Sequence, residues 1–173
     1  NLALIEDSCD TLGATVNGRP AGSYFDMSTT SFYASHIVTA AGEGGMLCVN
    51  DDKLNRRIRI LSGWGRHSSL NETEDVDVRY QNQLQGRPYD AKFIFSEIGY
   101  NMRTTDISAA FGLAQLKKLN QFASVRRKNF KALTDFFKKY EDVFVTPRQL
   151  PNVRTSWLAY PLTIRKDTPF TRT

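Results

Sequence analysis

The stretch Ser31-Phe32-Tyr33-Ala34-Ser35-His36-Ile37-Val38-Thr39-Ala40-Ala41-Gly42-Glu43-Gly44-Gly45, followed by the apolar run Met46-Leu47-Cys48-Val49, decides how the chain is read. Its first residues close a β-prone, Ser/Thr-rich run beginning at Met27 and place hydroxyl groups at the exit of a strand. The glycines permit a backbone conformation or a close approach that a Cβ forbids. A ligand-sized anion fits such a turn, although a lone histidine beside a Gly-rich turn is by itself more often structural than catalytic.

Working back toward the N-terminus, Leu2 to Ile5 is a short continuous apolar run, the pattern of a central parallel strand covered on both faces. Glu6-Asp7 then falls at its carboxyl end, where open α/β sheets bind ligands. Asp7 also reads as the N-cap of a helix over Ser8 to Gly13, and the two roles are compatible. Thr15-Val16-Asn17-Gly18-Arg19 holds an Asn-Gly pair between β-prone residues, a hairpin signal, and Gly22-Ser23 turns the chain again. Ser31 itself reads either as an anion donor or as the hydroxyl of a local turn.

Working forward, Asn50-Asp51-Asp52 starts a helix in which Leu54, Ile58 and Leu61 recur at helical spacing, ending near Gly63-Trp64-Gly65. Arg66 to Lys92 is polar, lacks periodicity and is longer than an ordinary connection. Gly99-Tyr100-Asn101 reads as a turn before the cap signal Thr104-Thr105-Asp106. From there Ile107, Ala110, Phe111, Ala114 and Leu116 to Leu119 continue as an amphipathic helix. A long connecting helix is expected over Gln121 to Tyr140. The breaks at Pro147 and Pro151 mark a change of unit, with a strand over Ser156 to Ile164.

In their order, Ile5-Glu6-Asp7, Gly22-Ser23, Ser31-Phe32-Tyr33, the Gly-Glu-Gly-Gly turn, Gly99-Tyr100-Asn101 and Thr105-Asp106 resemble the sugar aminotransferase family called DegT/DnrJ/EryC1/StrS. These are fold-type I enzymes dependent on pyridoxal phosphate (PLP), and the resemblance covers about Leu2 to Leu119. It implies an α/β, aspartate-aminotransferase-like fold. Residues 1–120 are then the later part of the large PLP-binding domain, 121–140 a connecting helix, and 141–173 the start of a small C-terminal domain. The chain opens in mid-element, so more of the protein is expected outside this sequence.

One position departs from the aminotransferase pattern. Where those enzymes carry the lysine that attaches the cofactor, this chain has His36, which resembles the 3-dehydratase branch acting on nucleotide-linked 4-keto-6-deoxy sugars. The resemblance implies that Asp7 pairs with the pyridinium nitrogen of PLP and Ser31 binds its phosphate. It also implies that Asn101 reaches the phosphate of a neighbouring subunit in a homodimer. Arg103 is a candidate contact for substrate phosphate or sugar. The resemblance further implies that, with His36 as acid and base, the cofactor works as pyridoxamine phosphate with glutamate as amino donor, in deoxysugar and lipopolysaccharide O-antigen biosynthesis. Imidazole as a side-chain type suits a proton shuttle near neutral pH. Some dehydratases of this branch carry a cysteine-bound iron-sulphur cluster in the region of Arg66 to Lys92; here that stretch has no cysteine, and no cluster is expected. The alternative is a family homologue without activity, serving a sensory or structural role.

Composition limits the other classes. The chain has 173 residues, 40% of them hydrophobic, enough for a core and against disorder. No apolar run reaches bilayer length, so no membrane association is expected. Cys9 and Cys48 read as free, buried thiols, which points to a reducing, cytoplasmic compartment. The net charge of +5 raises nucleic acid as a partner. The basic residues are spread over amphipathic helices without interleaved aromatics, so an anionic nucleotide-sugar accounts for the sign and no nucleic acid is expected.

Overall fold

The computed structural model describes residues 2–172. Asn1 and Thr173, at the two ends of the expected domains, lie outside the described residues. Two compact units emerge, one made of residues up to Cys48 together with those from Asp106 onward, the other of Val49–Thr105.

The first unit opens with β1 (Ile5–Asp7), the hairpin strands β2 (Thr15–Val16) and β3 (Arg19–Pro20), then β4 (Met27–Ser31) and β5 (Gly45–Val49). β1 pairs in parallel with β4, Asp7 standing opposite Thr29, and the sheet order is β1-β4-β5. Phe32 N–H donates to Gly44 O and Ala34 N–H to Gly42 O, so the chain returns into β5 in the antiparallel sense. The sheet is therefore mixed. The expected hairpin forms with Asn17 (φ 48°) and Gly18 (φ 78°) both left-handed, as a type I′ turn requires.

Three expectations for this region are corrected. The first strand covers Ile5–Asp7 rather than Leu2 to Ile5, and it is not buried: Leu2 is 89% and Ile5 62% exposed. β1 has a partner strand on one side, and no described element covers those side chains. No helix follows Asp7. Its Oδ1 accepts from the Cys9 N–H at 3.1 Å, closing a single turn that two further turns extend to Gly13. The thiols are free, but Cys9 is half-buried and Cys48 exposed.

The second unit begins with α1 (Asp52–Ser62), capped by the Asp51 carboxylate on the Leu54 N–H at 2.8 Å and stopped at Gly63. Residues 66–92, read as a long aperiodic connection, hold a single turn at His67–Leu70, the short α2 (Val76–Arg79) and a hairpin of β6 (Gln83–Leu84) with β7 (Arg87–Pro88). The hairpin turn Gln85-Gly86 has both φ positive, a Gln-Gly version of the Asn-Gly signal. The Arg79 guanidinium ties α2 to Asp90, with Nε 2.9 Å from Oδ1 and Nη2 on Oδ2. Both side chains are largely covered.

Arg79 holds the Asp90 carboxyl below the usual carboxylate range. A depressed carboxylate contributes stability that is present above the unfolded value, near pH 4, and lost as pH falls through the lower folded value. Amide protection over residues 76–93, corrected for intrinsic exchange, is therefore expected to fall selectively below about pH 4. Asp90→Asn should show the reduced protection at neutral pH and little further acid dependence.

The chain returns to the first unit with α3 (Asp106–Leu116) and α4 (Leu119–Phe137). α4 with the following turn Lys138–Tyr140 matches the expected long helix. α3 is not amphipathic: it has no buried residue, and Ile107 is 81% and Leu113 62% exposed. Its polar residues are too few to form one face. Then come β8 (Phe144–Val145), β9 (Val153–Arg154) and β10 (Thr163–Ile164). β10 pairs with β8, and β9 adds to the edge of the β2–β3 hairpin.

The strand expected over Ser156 to Ile164 shrinks to two residues. Trp157 turns the chain with φ 48° and stacks on Phe130 at 3.7 Å, while the carbonyls of Trp157 and Leu158 accept from Arg126. Those groups are then spent on α4 rather than on a strand partner.

Candidate functional site

Within the first unit, the expected residues gather around the carboxyl ends of β1 and β4. Asp7 ends β1, Ser31 ends β4 two residues beyond the partner of Asp7, and His36 stands on the connection that leads to β5. That connection is a built structure rather than a slack loop. Ile37, Val38 and Ala40 are buried at 4%, 2% and 5% exposure, anchoring the residues that follow the histidine. The Ala40 N–H donates to Phe32 O at 3.0 Å, and the Gly42 N–H to Thr39 Oγ1 at 3.0 Å. Gly44 (φ 124°) completes the return in a conformation that favours glycine.

The Cys9 thiol, aided by the Cys9 N–H and the Thr29 hydroxyl, holds the Asp7 carboxyl below the usual carboxylate range. Asp7 in turn pushes the Cys9 thiol up. An ionised carboxylate accepts up to about four hydrogen bonds, so these donors leave capacity for a ring N–H. Ser31 Oγ accepts from the Tyr33 N–H at 3.2 Å, the local turn that the sequence left open. A hydroxyl that accepts in this way keeps its own proton to donate, and an anion is the matching partner. Both residues fit a pyridoxal phosphate: a fixed carboxylate for its ring nitrogen and an uncharged donor for its phosphate.

His36 Nδ1 lies 2.7 Å from Asp10 Oδ1 and 3.2 Å from the Cys9 carbonyl oxygen. Its ring meets Tyr33 edge to face at 6.1 Å. Asp10 was not singled out in the sequence; the turn after Asp7 brings it to the histidine, and a second carboxylate three residues on was the one available signal. Position 36 holds histidine, and the first lysine of this sequence is Lys53. A hollow of about 500 Å³ beside β4 and β5, lined in part by Gly22, Ser28, Thr30, Met46 and Leu116, includes none of Asp7, Ser31 or His36.

Asn101 and Arg103 belong to the second unit. Asn101 is exposed and its backbone bridges Gly63. Arg103 is exposed, its Nη1 3.0 Å from Glu72 Oε1. His67 opens the single turn at His67–Leu70 and is exposed, its N–H bonded to Ile94 O. Among the described residues no three His, Cys, Asp or Glu side chains gather to hold a metal ion, and no helix is long and apolar enough to cross a membrane.

A carboxylate ends one parallel strand, a hydroxyl ends the next and His36 stands on the return to an antiparallel neighbour, in an α/β chain whose solved relatives are PLP fold-type I proteins. The chain belongs to the DegT/DnrJ/EryC1/StrS aminotransferase family, whose model matches residues 1–173. It is 38% identical over 175 residues to a dTDP-4-dehydro-2,6-dideoxy-D-glucose 3-dehydratase of Saccharopolyspora spinosa, covering 99% of this chain and 37% of that protein. It is 35% identical over 128 residues to a GDP-perosamine synthase of Caulobacter vibrioides, covering 74% of this chain and 29% of that one. Among solved structures, an E. coli GDP-4-keto-6-deoxy-D-mannose-3-dehydratase with bound hydrated PLP superposes with a TM-score of 0.80 at 31% identity, over 99% of this chain and 42% of that chain. The chain thus spans about two fifths of the length of these dehydratases.

Proposed function

We propose that the protein removes the C3 hydroxyl of a nucleotide-linked 4-keto-6-deoxyhexose, as a PLP-dependent lyase of deoxysugar and O-antigen biosynthesis. The observation that carries this reading is His36, a tethered imidazole on the β4–β5 connection of a chain with no lysine before Lys53. When bound, the cofactor supplies an electron sink and, in its amine form, the nitrogen that condenses with the C4 ketone.

The chain's own residues do the rest. Asp7, held ionised, keeps the ring nitrogen protonated, and Ser31 donates to the phosphate. His36 removes the proton from C4′ of the cofactor and returns it to the departing C3 oxygen, a two-way transfer suited to an imidazole. Asn101 contributes to the phosphate site of a neighbouring subunit in a homodimer, and Arg103 to the substrate. In the whole enzyme, residues 1–120 belong to the large cofactor-binding domain, 121–140 form the connecting helix and 141–173 open the small C-terminal domain. The reaction runs in the cytoplasm and needs no iron-sulphur cluster, because its two electrons come from glutamate. The keto sugar and glutamate give the 3-deoxy sugar, 2-oxoglutarate and ammonia in equal amounts, which balances without an external reductase.

The test is a product assay. The full-length protein is incubated with PLP, glutamate and a nucleotide-linked 4-keto-6-deoxyhexose, with mass spectrometry of the sugar and assays of ammonia and 2-oxoglutarate. One ammonia and one 2-oxoglutarate per deoxygenated sugar are expected. A 4-amino sugar retaining its C3 hydroxyl as the main product overturns the reading.

A further inference from the structure

The geometry points to Asp10 as a positioning residue for His36: it fixes the proton on Nδ1 and so makes Nε2 the basic nitrogen. This rests on the proposed role of His36 but concerns which ring atom acts and what selects it. A neutral imidazole carries one N–H, and the partner of one nitrogen decides the character of the other. Both oxygens near Nδ1, Asp10 Oδ1 at 2.7 Å and the Cys9 carbonyl at 3.2 Å, are acceptors. A carbonyl is never a donor, and an ionised carboxylate is acceptor-only. Nδ1 therefore donates and Nε2 holds the lone pair.

The shorter contact is to the charged oxygen, the stronger kind of hydrogen bond, so Asp10 outweighs the carbonyl. The carbonyl contributes orientation: it belongs to the turn that Asp7 closes, which ties the ring to the end of β1. The Asp10 side chain is 61% exposed and that of His36 19%. Asp10 can accordingly be replaced without opening a core, while the imidazole stays confined on the Nδ1 side.

Two measurements test the assignment. Two-bond ¹H–¹⁵N correlation of the His36 ring in the full-length protein without cofactor is expected to show the Nδ1–H form, with Nε2 unprotonated. In Asp10→Ala a substantial share should pass to the Nε2–H form. With cofactor and sugar, kcat of Asp10→Ala should fall about 10- to 100-fold, less than the whole proton transfer contributes, with KM nearly unchanged. An Nε2–H ring in the wild type, or an Asp10→Ala variant that keeps either its tautomer population or its kcat, overturns the proposal. The ring measurement needs no turnover. If the wild-type protein instead makes an amino sugar while the tautomer follows Asp10, the function reading fails and the positioning role stands.

Discussion

Replacing His36 by asparagine is expected to slow C3 deoxygenation by the full-length protein about 10²- to 10⁴-fold, the usual worth of general acid–base catalysis. Asparagine keeps a polar side chain able to donate to the oxygens that His36 meets, Asp10 Oδ1 and the Cys9 carbonyl. The buried anchors Ile37, Val38 and Ala40 are untouched, so the β4–β5 connection should keep its path. What is lost is the titratable nitrogen. An amide neither takes a proton from carbon nor hands one to a leaving hydroxyl at neutral pH, so kcat should carry the whole effect and KM for the sugar should change little. Single-turnover measurement of 3-deoxy sugar formation separates this step from cofactor regeneration by glutamate. Deoxygenation within threefold of wild type would assign the base elsewhere.

Gly99→Ala is expected to be strongly damaging in the second unit, as is Gly65→Ala, whose Cβ would lie 1.8 Å from Glu97 O at φ 80°. A Cβ at Gly99 would lie 2.1 Å from Gly65 N and 2.6 Å from the Trp64 carbonyl carbon, backbone atoms with no rotamer to escape into. The close approach has a purpose at the end of α1, whose last carbonyls have no partner inside the helix. Ile60 O, Leu61 O and Ser62 O accept from the N–H groups of Gly65, Tyr100 and Met102 at 2.9, 2.7 and 2.9 Å. A methyl at position 99 forces these segments apart. Overpacking commonly costs about 1–3 kcal/mol, and a clash with the backbone of Trp64 and Gly65, which no rotamer relieves, puts the expected loss at about 3 kcal/mol. Hydrogen exchange over residues 60–102 should register it as a fall in local opening free energy, with Asn101 displaced as a consequence. A change below about 0.5 kcal/mol, the range of ordinary surface substitutions, would show that the two segments separate freely.

The elements set by short-range rules were legible in the sequence. Asn17-Gly18 gave its hairpin because few residues accept positive φ in succession, and Asp51 capped α1 because the carboxylate and the Leu54 N–H are three residues apart. Ser31 at the exit of β4 was likewise readable, since a hydroxyl-rich run ends there, whereas the polar Glu6 and Asp7 lie inside β1 rather than beyond it. Burial was not legible in that way. Leu2, Ile5 and the residues of α3 are apolar in sequence and exposed here, because hydrophobicity states a preference while burial needs a surface to meet it. Nor was the order within residues 66–92, where Arg79 and Asp90, eleven residues apart, make the decisive contact with no periodicity to announce it. The candidate site divides along the same line. That His36 is a histidine, in a chain with no lysine before Lys53, is a property of the sequence alone. That Nδ1 faces Asp10 and the Cys9 carbonyl, 26 and 27 residues earlier, was decided by the parallel pairing of β1 with β4, because it is this pairing that brings the turn after β1 beside the connection after β4.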